Sequence, residues 1–468
     1  MSAGIDLLRC GALRAVARSR PLLFVLRLPV LILFVGLMLA ALLGSESRNI
    51  ATAGTGVLWL VAVSVVTPVV GKFWCVVCPW DAVAEWIQRL GLWRKNDDPL
   101  TAGFTWPAGL ANAYPALGLF VALVWAEYAF DVTDSPRFVG YFCAGIVSAA
   151  VVVGLLFKRK TFCRYVCPIG ATSGLYSVFS IFEIRARDRE RCRTCRSKDC
   201  VRGNEMGYGC PVYEYPGTME SNVNCILCTE CIKTCPYENV GLNLRFPGTE
   251  LLCGTKDASR HVLGRRNDLS LLAGAMLALS YTHGLSLTPV FGRSVVLVAN
   301  FVGVGTVLAF SVLLILFLAA VWGVCCGVRL AVRTADGPAS RRVDHVVLVL
   351  ALTVHLIFTV QHAFARGELL IPLLSDPIGS GWDLFGTARM THFVPMEPAS
   401  MFALQVGLAV VGWVAVLVLL LRRGASQAVG PGRRVAALLL VISFATTTLS
   451  VALWMAVSYV NAAVSRLI

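Results

Sequence analysis

The chain has 468 residues, of which 57% are hydrophobic and 15% are charged, and its mean hydropathy is +0.72. Because an average soluble domain has roughly 25% charged residues, this composition indicates a membrane protein. The formal net charge of +14 is typical of loops that fix orientation and contact anionic lipid, so the charge does not indicate a partner nucleic acid. The sequence contains no Ser-His-Asp set, P-loop or dinucleotide fingerprint, and hydrolysis, nucleotide-driven transport and NAD binding therefore have no support.

Apolar stretches long enough to cross about 30 Å of hydrocarbon predict an all-α polytopic protein with about nine transmembrane helices. They lie at residues 21-44, 54-72, 107-130, 138-157, 268-289, 296-328, 343-365, 401-421 and 435-460. Basic residues concentrate at the N-terminus and after the even-numbered spans, for example at Lys158, Lys160 and Arg342. By the positive-inside rule, this pattern predicts an N-terminus inside and a multi-pass protein of the bacterial inner membrane.

The first membrane domain, residues 1-182, contains a weak internal repeat of two spans followed by a cysteine pair and a proline. The four cysteines are Cys75, Cys78, Cys163 and Cys167. A short amphipathic helix is predicted after each pair, near residues 81-94 and 170-182. The four thiols would lie at the inner membrane face as a third metal centre or as redox thiols. The alternative is a structural role, because cysteine is often buried and proline ends helices.

Residues 183-267 are polar, rich in Cys, Gly and Pro, and too poor in apolar periodicity for an ordinary core. They contain the run C-x2-C-x2-C-x3-C-P, in which three thiolates hold one cubane and the fourth cysteine reaches a second. Cross-ligation predicts two [4Fe-4S] clusters, one on Cys192, Cys195, Cys200 and Cys235 and one on Cys225, Cys228, Cys231 and Cys210. The segment is therefore predicted to be a small cytoplasmic domain of the bacterial-ferredoxin type. Zinc and disulfides are the alternatives, which the spacing and the predicted cytoplasmic placement disfavour.

The two Cys-Pro loops and the eight-cysteine segment behind them resemble the membrane-bound polyferredoxins, a family with NapH-type, NosR-type and CcoG-type members. The resemblance covers about residues 20 to 245, and the first loop departs from the usual C-x3-C-P pattern with C-x2-C-P. It implies electron transfer between the clusters and the quinone pool or an extracytoplasmic respiratory partner, and an enzymatic activity, if any, of the oxidoreductase class. The alternative is a redox maturation or sensing factor, for example one that reduces copper during metalloenzyme assembly.

The second membrane domain, residues 268-468, is predicted to have five helices, and three histidines within its spans are candidate functional residues. His355 and His362 would share one face of a helix about 10 Å apart along its axis, with His283 at comparable depth. Histidine inside a membrane span is a functional candidate, here for a haem b or a quinol site. The alternative is that these histidines form hydrogen bonds between packed helices.

Two further groups of soft ligands lie in this second domain. Cys325 and Cys326 come at the end of the sixth predicted span and would reach the inner membrane face. The outer connection holds candidate Cu(I) ligands, namely Met390, His392, Met396 and Met401. Apolar residues at the membrane interface explain most of this connection without a metal.

Overall fold

A computed structural model describes residues 4–46, 49–90, 100–130, 132, 135–252, 263, 266–335, 340–367, 369–390, 397–422 and 431–464. Across this described part, seven helices are long and apolar enough to cross a membrane. Two further apolar helices have 17 and 14 residues. The prediction of a helical, multi-spanning membrane protein is confirmed.

The first membrane domain contains helices that lead into the two Cys-Pro loops. They are Gly11–Arg18 (α1), Leu22–Leu43 (α2), Ile50–Val61 (α3), Thr67–Val70 (α4), Trp74–Val77 (α5), Pro79–Arg89 (α6), Tyr114–Phe130 (α7), Pro136–Leu156 (α8) and Pro168–Tyr176 (α9). A π-helical turn at Ala62–Val66 joins α3 to α4, and a second at Phe162–Val166 precedes α9. Helices α6 and α9 begin at the prolines of the two Cys-Pro pairs, because the first turn of a helix tolerates proline.

The cysteine-rich segment at residues 183-267, called the cluster domain after its two predicted clusters, is built from short elements. Its helices are Arg189–Thr194 (α10), Asp199–Arg202 (α11), Glu230–Thr234 (α12) and Thr249–Leu252 (α13). Its antiparallel sheet has the order β1-β3-β2, with β1 at Ile5–Asp6, β2 at Phe182–Ala186 and β3 at Val240–Leu244. Cysteines make up four of the eleven residues in its buried core, and the other seven are apolar side chains.

The N-terminal residues belong to the cluster domain and not to the membrane helices. Asp6 accepts a hydrogen bond of 2.8 Å from the Arg187 side chain, and Arg18 forms an ion pair with Glu238. Leu8 is buried in the same core as the cluster cysteines. The segment from Ile5 to Arg18 and the cluster domain therefore lie on the same side of the membrane domain. A two-residue strand is too short for the sequence to predict this association.

In the described part of the second membrane domain there are seven helices. They are Asn267–Ser286 (α14), Pro289–Val302 (α15), Thr306–Ala335 (α16), Ser340–Gly367 (α17), Leu370–Ser375 (α18), Pro398–Arg422 (α19) and Pro431–Val464 (α20). The predicted span at residues 296-328 is interrupted, because α15 ends at Val302 and α16 begins at Thr306. Gly303, with φ +73°, ends α15 in a left-handed conformation that favours glycine. Helix α17 lies at the centre of this domain and contacts α14, α16, α19 and α20.

The cluster domain sits directly on the two Cys-Pro loops. Lys72, just before the first loop, donates a hydrogen bond of 3.3 Å from Nζ to the Val223 carbonyl. The backbone N–H of Lys160, just before the second loop, donates to the Pro211 carbonyl at 3.3 Å. These contacts bring the cysteine-rich segment against the end of the membrane domain where α6 and α9 begin.

Candidate functional site

The eight cysteines of the cluster domain form two groups in space. Neighbouring sulfur atoms place Cys192, Cys195, Cys200 and Cys235 in the outer group, and Cys210, Cys225, Cys228 and Cys231 in the inner group. Cys200 is close to both Cys210 and Cys231, which joins the two groups. All eight are buried except Cys195, which is partly exposed.

Both groups offer donor atoms suited to iron–sulfur clusters. Each has four soft thiols, and the backbone N–H of Glu214 donates to Cys210 Sγ at 3.2 Å. In the outer group, the Asn239 amide donates to Cys192 Sγ at 3.3 Å. Hydrogen bonds to sulfur help to set cluster potentials. Among the described residues, no three His, Cys, Asp or Glu side chains converge as ligands of one metal ion.

Burial gives these thiols little tendency to ionise on their own. It raises the pKa of Cys200 to about 12 and that of Cys225 to about 11. A bound iron centre supplies the positive charge that keeps coordinating sulfur deprotonated. Ligand deprotonation and folding of this domain would therefore be coupled to cluster binding.

The four cysteines of the Cys-Pro loops form a third group. Cys78 is close to Cys75 and Cys167, and Cys163 is close to Cys78 and Cys167. Gly170 allows this approach, because a Cβ there would lie 2.4 Å from the Cys163 carbonyl oxygen. Its N–H also donates to Cys167 Sγ at 3.4 Å. The repeat predicts both loops, and the structure shows that they meet.

A buried network of charges surrounds this third group. Asp81 accepts a hydrogen bond of 3.1 Å from Cys163 Sγ and forms an ion pair with Lys160. Glu85 forms ion pairs with Lys160 at 2.7 Å and with Arg27 at 3.1 Å. The side chains of all four charged residues are at most 6% exposed. Ion pairs in such surroundings hold their geometry firmly and leave a severe imbalance if one member is removed.

Charge in this network favours an anionic neighbour. Burial alone would raise the pKa of Glu85, but Arg27, Arg89 and Lys160 outweigh burial and hold that pKa well below its usual range. Burial alone would lower the pKa of Lys160, but Asp81 and Glu85 raise it. Arg89 also forms an ion pair with Glu85, so the network has three cations and two carboxylates. One cation is therefore in excess beside the loop thiols.

The three cysteine groups follow one another toward the membrane. Cys75 of the first loop lies in one apolar cluster with Cys210 and Cys228 of the inner group. On the other side of the loops, Trp80 and Pro168, which follow the two cysteine pairs, line a cavity inside the membrane domain. A continuous order thus runs from the outer group through the inner group and the loop group to the cavity wall.

The three histidines of the sequence prediction line this cavity, which has a volume of about 550 Å³. The rings of His283 and His362 are 5.1 Å apart between centroids. The Tyr128 hydroxyl forms a hydrogen bond of 2.7 Å with His283 Nδ1, and the Tyr176 hydroxyl forms one of 2.8 Å with His355 Nδ1. In each of these two histidines, Nδ1 is therefore hydrogen-bonded to a tyrosine of the first membrane domain.

The other candidate ligands do not join these groups. Buried Cys325 has Cys326 and Asp344 as its ionisable neighbours, and not the loop thiols. Met390 is 48% exposed whereas Met401 is 1% exposed. His392 and Met396 lie outside the described residues.

Several residues of the site are absent from the sequence prediction. Tyr128 and Tyr176 carry no pattern that distinguishes them from other aromatic residues of apolar helices. Arg27 has a signal, because an arginine inside an apolar span needs a buried partner. Asp81 and Lys160 lie within three residues of a loop cysteine, and only their burial shows that they belong to the site.

Comparison with known proteins gives the same class of chemistry. The family described as "4Fe-4S binding domain" matches residues 52–96 and 139–184, which contain the two Cys-Pro loops. The chain is 28% identical to YccM of Escherichia coli (strain K12), named as an electron transport protein, over 38% of this chain and 53% of that protein. It is 31% identical to the methylamine utilization ferredoxin-type protein MauN of Paracoccus denitrificans, over 27% of this chain and 46% of that protein.

A third relative is the protein NirI of Paracoccus denitrificans, which is 32% identical over 24% of this chain and 15% of that protein. The chain thus spans about half the length of YccM and MauN. No solved structure matches the chain.

The fold and the cysteine groups define a multi-spanning membrane protein with ferredoxin-type iron–sulfur sites. The matched 4Fe-4S segments and the similarity to YccM, MauN and NirI support the resemblance to polyferredoxin-type membrane proteins. The resemblance stated from the Cys-Pro loops and the cysteine segment is confirmed.

Proposed function

We propose that the chain conducts electrons between two [4Fe-4S] clusters in its cluster domain and quinone in the membrane. The ligands would be the outer and inner cysteine groups, in the cross-ligated sets that the spacing predicts. The observation that carries this proposal is the unbroken order of thiol groups from the cluster domain to the wall of a membrane cavity. Such an order supplies neighbouring redox sites on one route.

The loop group would hold a third iron–sulfur centre on this route. Its four thiols are brought together by two separate loops, and both loops lie in segments matched by a 4Fe-4S family. The excess positive charge of the surrounding network favours an anionic thiolate centre. Redox-active thiols are the alternative, which the iron content distinguishes from a cluster.

Electrons would exchange with a soluble partner at the outer group, on the cytoplasmic side. Cys195 is partly exposed there, and the side chains around it are basic and exposed, including Arg191, Arg193, Arg196 and Lys198. A surface of this charge favours an acidic one-electron carrier. The basic N-terminal segment packs against the cluster domain. By the positive-inside rule, this association supports a cytoplasmic position for the cluster domain.

The first test is the iron and acid-labile sulfide content of anaerobically purified protein, with EPR spectra before and after dithionite. Two cubanes give about eight irons per chain and three give about twelve. We expect about twelve. A value of about eight would assign the loop cysteines to thiol chemistry, and a value near zero would contradict the proposed function.

The second test is reoxidation of the reduced centres by a short-chain ubiquinone analogue and, separately, by Cu(II). We expect rapid reoxidation by the quinone. Reoxidation by Cu(II) alone would instead favour a copper-reducing assembly factor. Centres that react with neither would contradict electron transport to the membrane and would favour clusters that only brace the fold.

The ligand assignment is tested with Cys231→Ser, which removes one thiol of the inner group. We expect loss of about four irons and of one EPR signal. Cys326→Ser is the matched control, because Cys326 is exposed on α16 and belongs to no group. A Cys231→Ser protein with the iron content and spectrum of wild type would show that the assignment is wrong.

A further inference from the structure

The cavity inside the membrane domain lies between its two halves. Helices α7, α8 and α9 of the first half and α14 and α17 of the second half contribute to its wall. Its volume of about 550 Å³ is within the range of roughly 300–1,000 Å³ found for small-molecule sites. Most of its wall is apolar, with side chains such as Phe120, Val139 and Leu279. A largely apolar ligand would suit it.

The cavity has hydrogen-bonding groups at two levels. The first level holds the Tyr176–His355 pair, which joins α9 to α17. The second level holds the Tyr128–His283 pair, whose imidazole contacts His362. His355 and His362 are seven residues apart on α17, which places the two levels about 10 Å apart. An apolar ring with a polar atom at each end fits between them.

At the second level, His283 has a ring nitrogen for which the described residues supply no hydrogen-bond partner. His283 Nε2 is inaccessible to solvent and has no hydrogen-bond partner among the described residues. When Tyr128 donates to Nδ1, the neutral imidazole carries its hydrogen on Nε2 and can donate it to a ligand oxygen. Because a buried polar atom is costly without a partner, this atom indicates an oxygen-bearing ligand.

Access to the cavity is open from the lipid side. Phe138 and Tyr141 form part of its wall on α8, and they are 52% and 66% exposed. In a helix of this hydropathy those exposed faces meet the hydrocarbon of the bilayer. A ligand that is dissolved in the membrane can therefore enter between the helices.

We propose that this cavity binds the ring of a quinone, with one carbonyl oxygen at the Tyr176–His355 pair and the other at the Tyr128–His283 pair. The inference rests on the proposed function and names its membrane site. A ring with opposed carbonyls spans the two levels when each oxygen accepts one hydrogen bond of about 2.8 Å. The apolar tail leaves past Phe138 and Tyr141 into lipid.

The reaction at this site balances two electrons with two protons. Bound iron–sulfur centres would supply two electrons, one at a time, for reduction of both carbonyls to hydroxyls, and each oxygen would gain one proton through its Tyr–His pair. Oxidation of the quinol is the reverse, and each pair then removes one proton. The cavity wall at Trp80 and Pro168, next to the loop cysteines, is where the electrons cross.

The same geometry disfavours haem as the occupant. The separation of 5.1 Å between the rings of His283 and His362 is that of two aromatic rings in direct contact. No porphyrin fits between rings at that distance. The Nδ1 atoms of His283 and His355 are both hydrogen-bonded to tyrosines, and the two imidazoles lie at different levels.

The test is equilibrium binding of radiolabelled short-chain ubiquinone and menaquinone analogues to the cluster-loaded protein in lipid nanodiscs. Tyr128→Phe and Tyr176→Phe keep ring volume and remove one hydroxyl each. We expect each to weaken binding roughly tenfold, and Val139→Trp, which fills the cavity, to abolish it. Tyr114→Phe is the matched control, because Tyr114 is on α7 but does not line the cavity.

The outcomes separate this inference from the proposed function. Iron content and thermal unfolding of each variant first verify that it is folded and loaded. If the analogues reoxidise wild-type centres but the Tyr→Phe and Val139→Trp proteins bind them like wild type, the cavity inference is overturned and the proposed function stands. If wild type neither binds the analogues nor is reoxidised by them, both are overturned. Weaker binding in the cavity variants alone supports the site.

Discussion

Asp81 combines three roles in one side chain, and none is evident from its position after a Cys-Pro pair. It accepts a hydrogen bond from Cys163, pairs with Lys160 and lies 3.8 Å from Arg27. The carboxylate is therefore required both by the loop group and by two buried cations. Its removal affects more than one contact.

We expect Asp81→Asn to destabilise the protein by about 3–5 kcal/mol, because it leaves buried cations with one carboxylate fewer. The measurement is the denaturant dependence of unfolding in detergent. Glu190→Gln is the control, because its pair with Arg193 is on the surface, with side chains 74% and 77% exposed. That change should cost under about 1 kcal/mol. Equal effects of the two substitutions would contradict the assigned burial.

Gly170 is the residue that allows the second loop to close on the first. We expect Gly170→Ala to displace the Cys163 carbonyl and to lower the iron bound by the loop group, while both ferredoxin-type EPR signals remain. Gly145→Ala is the control, because a Cβ at that helical glycine meets nothing within 4 Å. Unchanged iron content in Gly170→Ala would show that the loop has room to adjust.

At the scale of elements, α6 is the helix that links the loop group to the membrane domain. Glu85 on α6 pairs with Arg27 of α2 and with Lys160 before the second loop. Three separate segments therefore depend on the ionised form of one carboxylate. Protonation of Glu85 would weaken all of these attachments together.

Stability should consequently fall in acid. Because the pKa of Glu85 is lowered in the folded protein, the folded state favours its charged form. The contribution of Glu85 is present above the unfolded pKa, about 4.5, and is lost as the pH falls through the folded value. We expect the free energy of unfolding of Glu85→Gln to be lower than that of wild type at pH 7. Between pH 7 and pH 3 it should fall by less than the wild-type value does. Parallel pH profiles for the two proteins would contradict this assignment.

At the scale of the whole molecule, exposed basic residues surround the outer cysteine group, whereas the cations beside the loop group are buried. The basic residues around Cys195 are exposed, whereas Arg27 and Lys160 are buried beside the loops. The first set can attract a carrier from solution. The buried cations Arg27 and Lys160 can act only on groups bound inside the protein.

Electron exchange with an acidic carrier should therefore depend on salt. With an acidic 2Fe-2S ferredoxin as the probe, we expect the second-order rate constant to fall as ionic strength rises. The charge reversals Arg193→Glu and Arg196→Glu together should lower it roughly tenfold at low salt. Arg137→Glu is the control, because Arg137 is an exposed arginine at the start of α8, on the membrane domain. A rate that is independent of both salt and these substitutions would place electron exchange elsewhere.

The sequence by itself determines the class of this protein. Apolar length predicts a multi-spanning helical protein, because crossing hydrocarbon requires long apolar helices whatever their neighbours. Cysteine spacing predicts iron–sulfur chemistry, because ligands that are a few residues apart remain close in any fold. Both signals are local, and both predictions are confirmed.

Only the tertiary structure decides which distant residues share a site. Tyr128 lies 155 positions from His283, and Tyr176 lies 179 positions from His355. The N-terminal strand β1 pairs with β3, and Arg27 of α2 forms an ion pair with Glu85 of α6. These pairings follow from how helices pack and loops close, which depends on the sum of many weak contacts. No local pattern records them, so the cavity and the charge network become visible only in the folded chain.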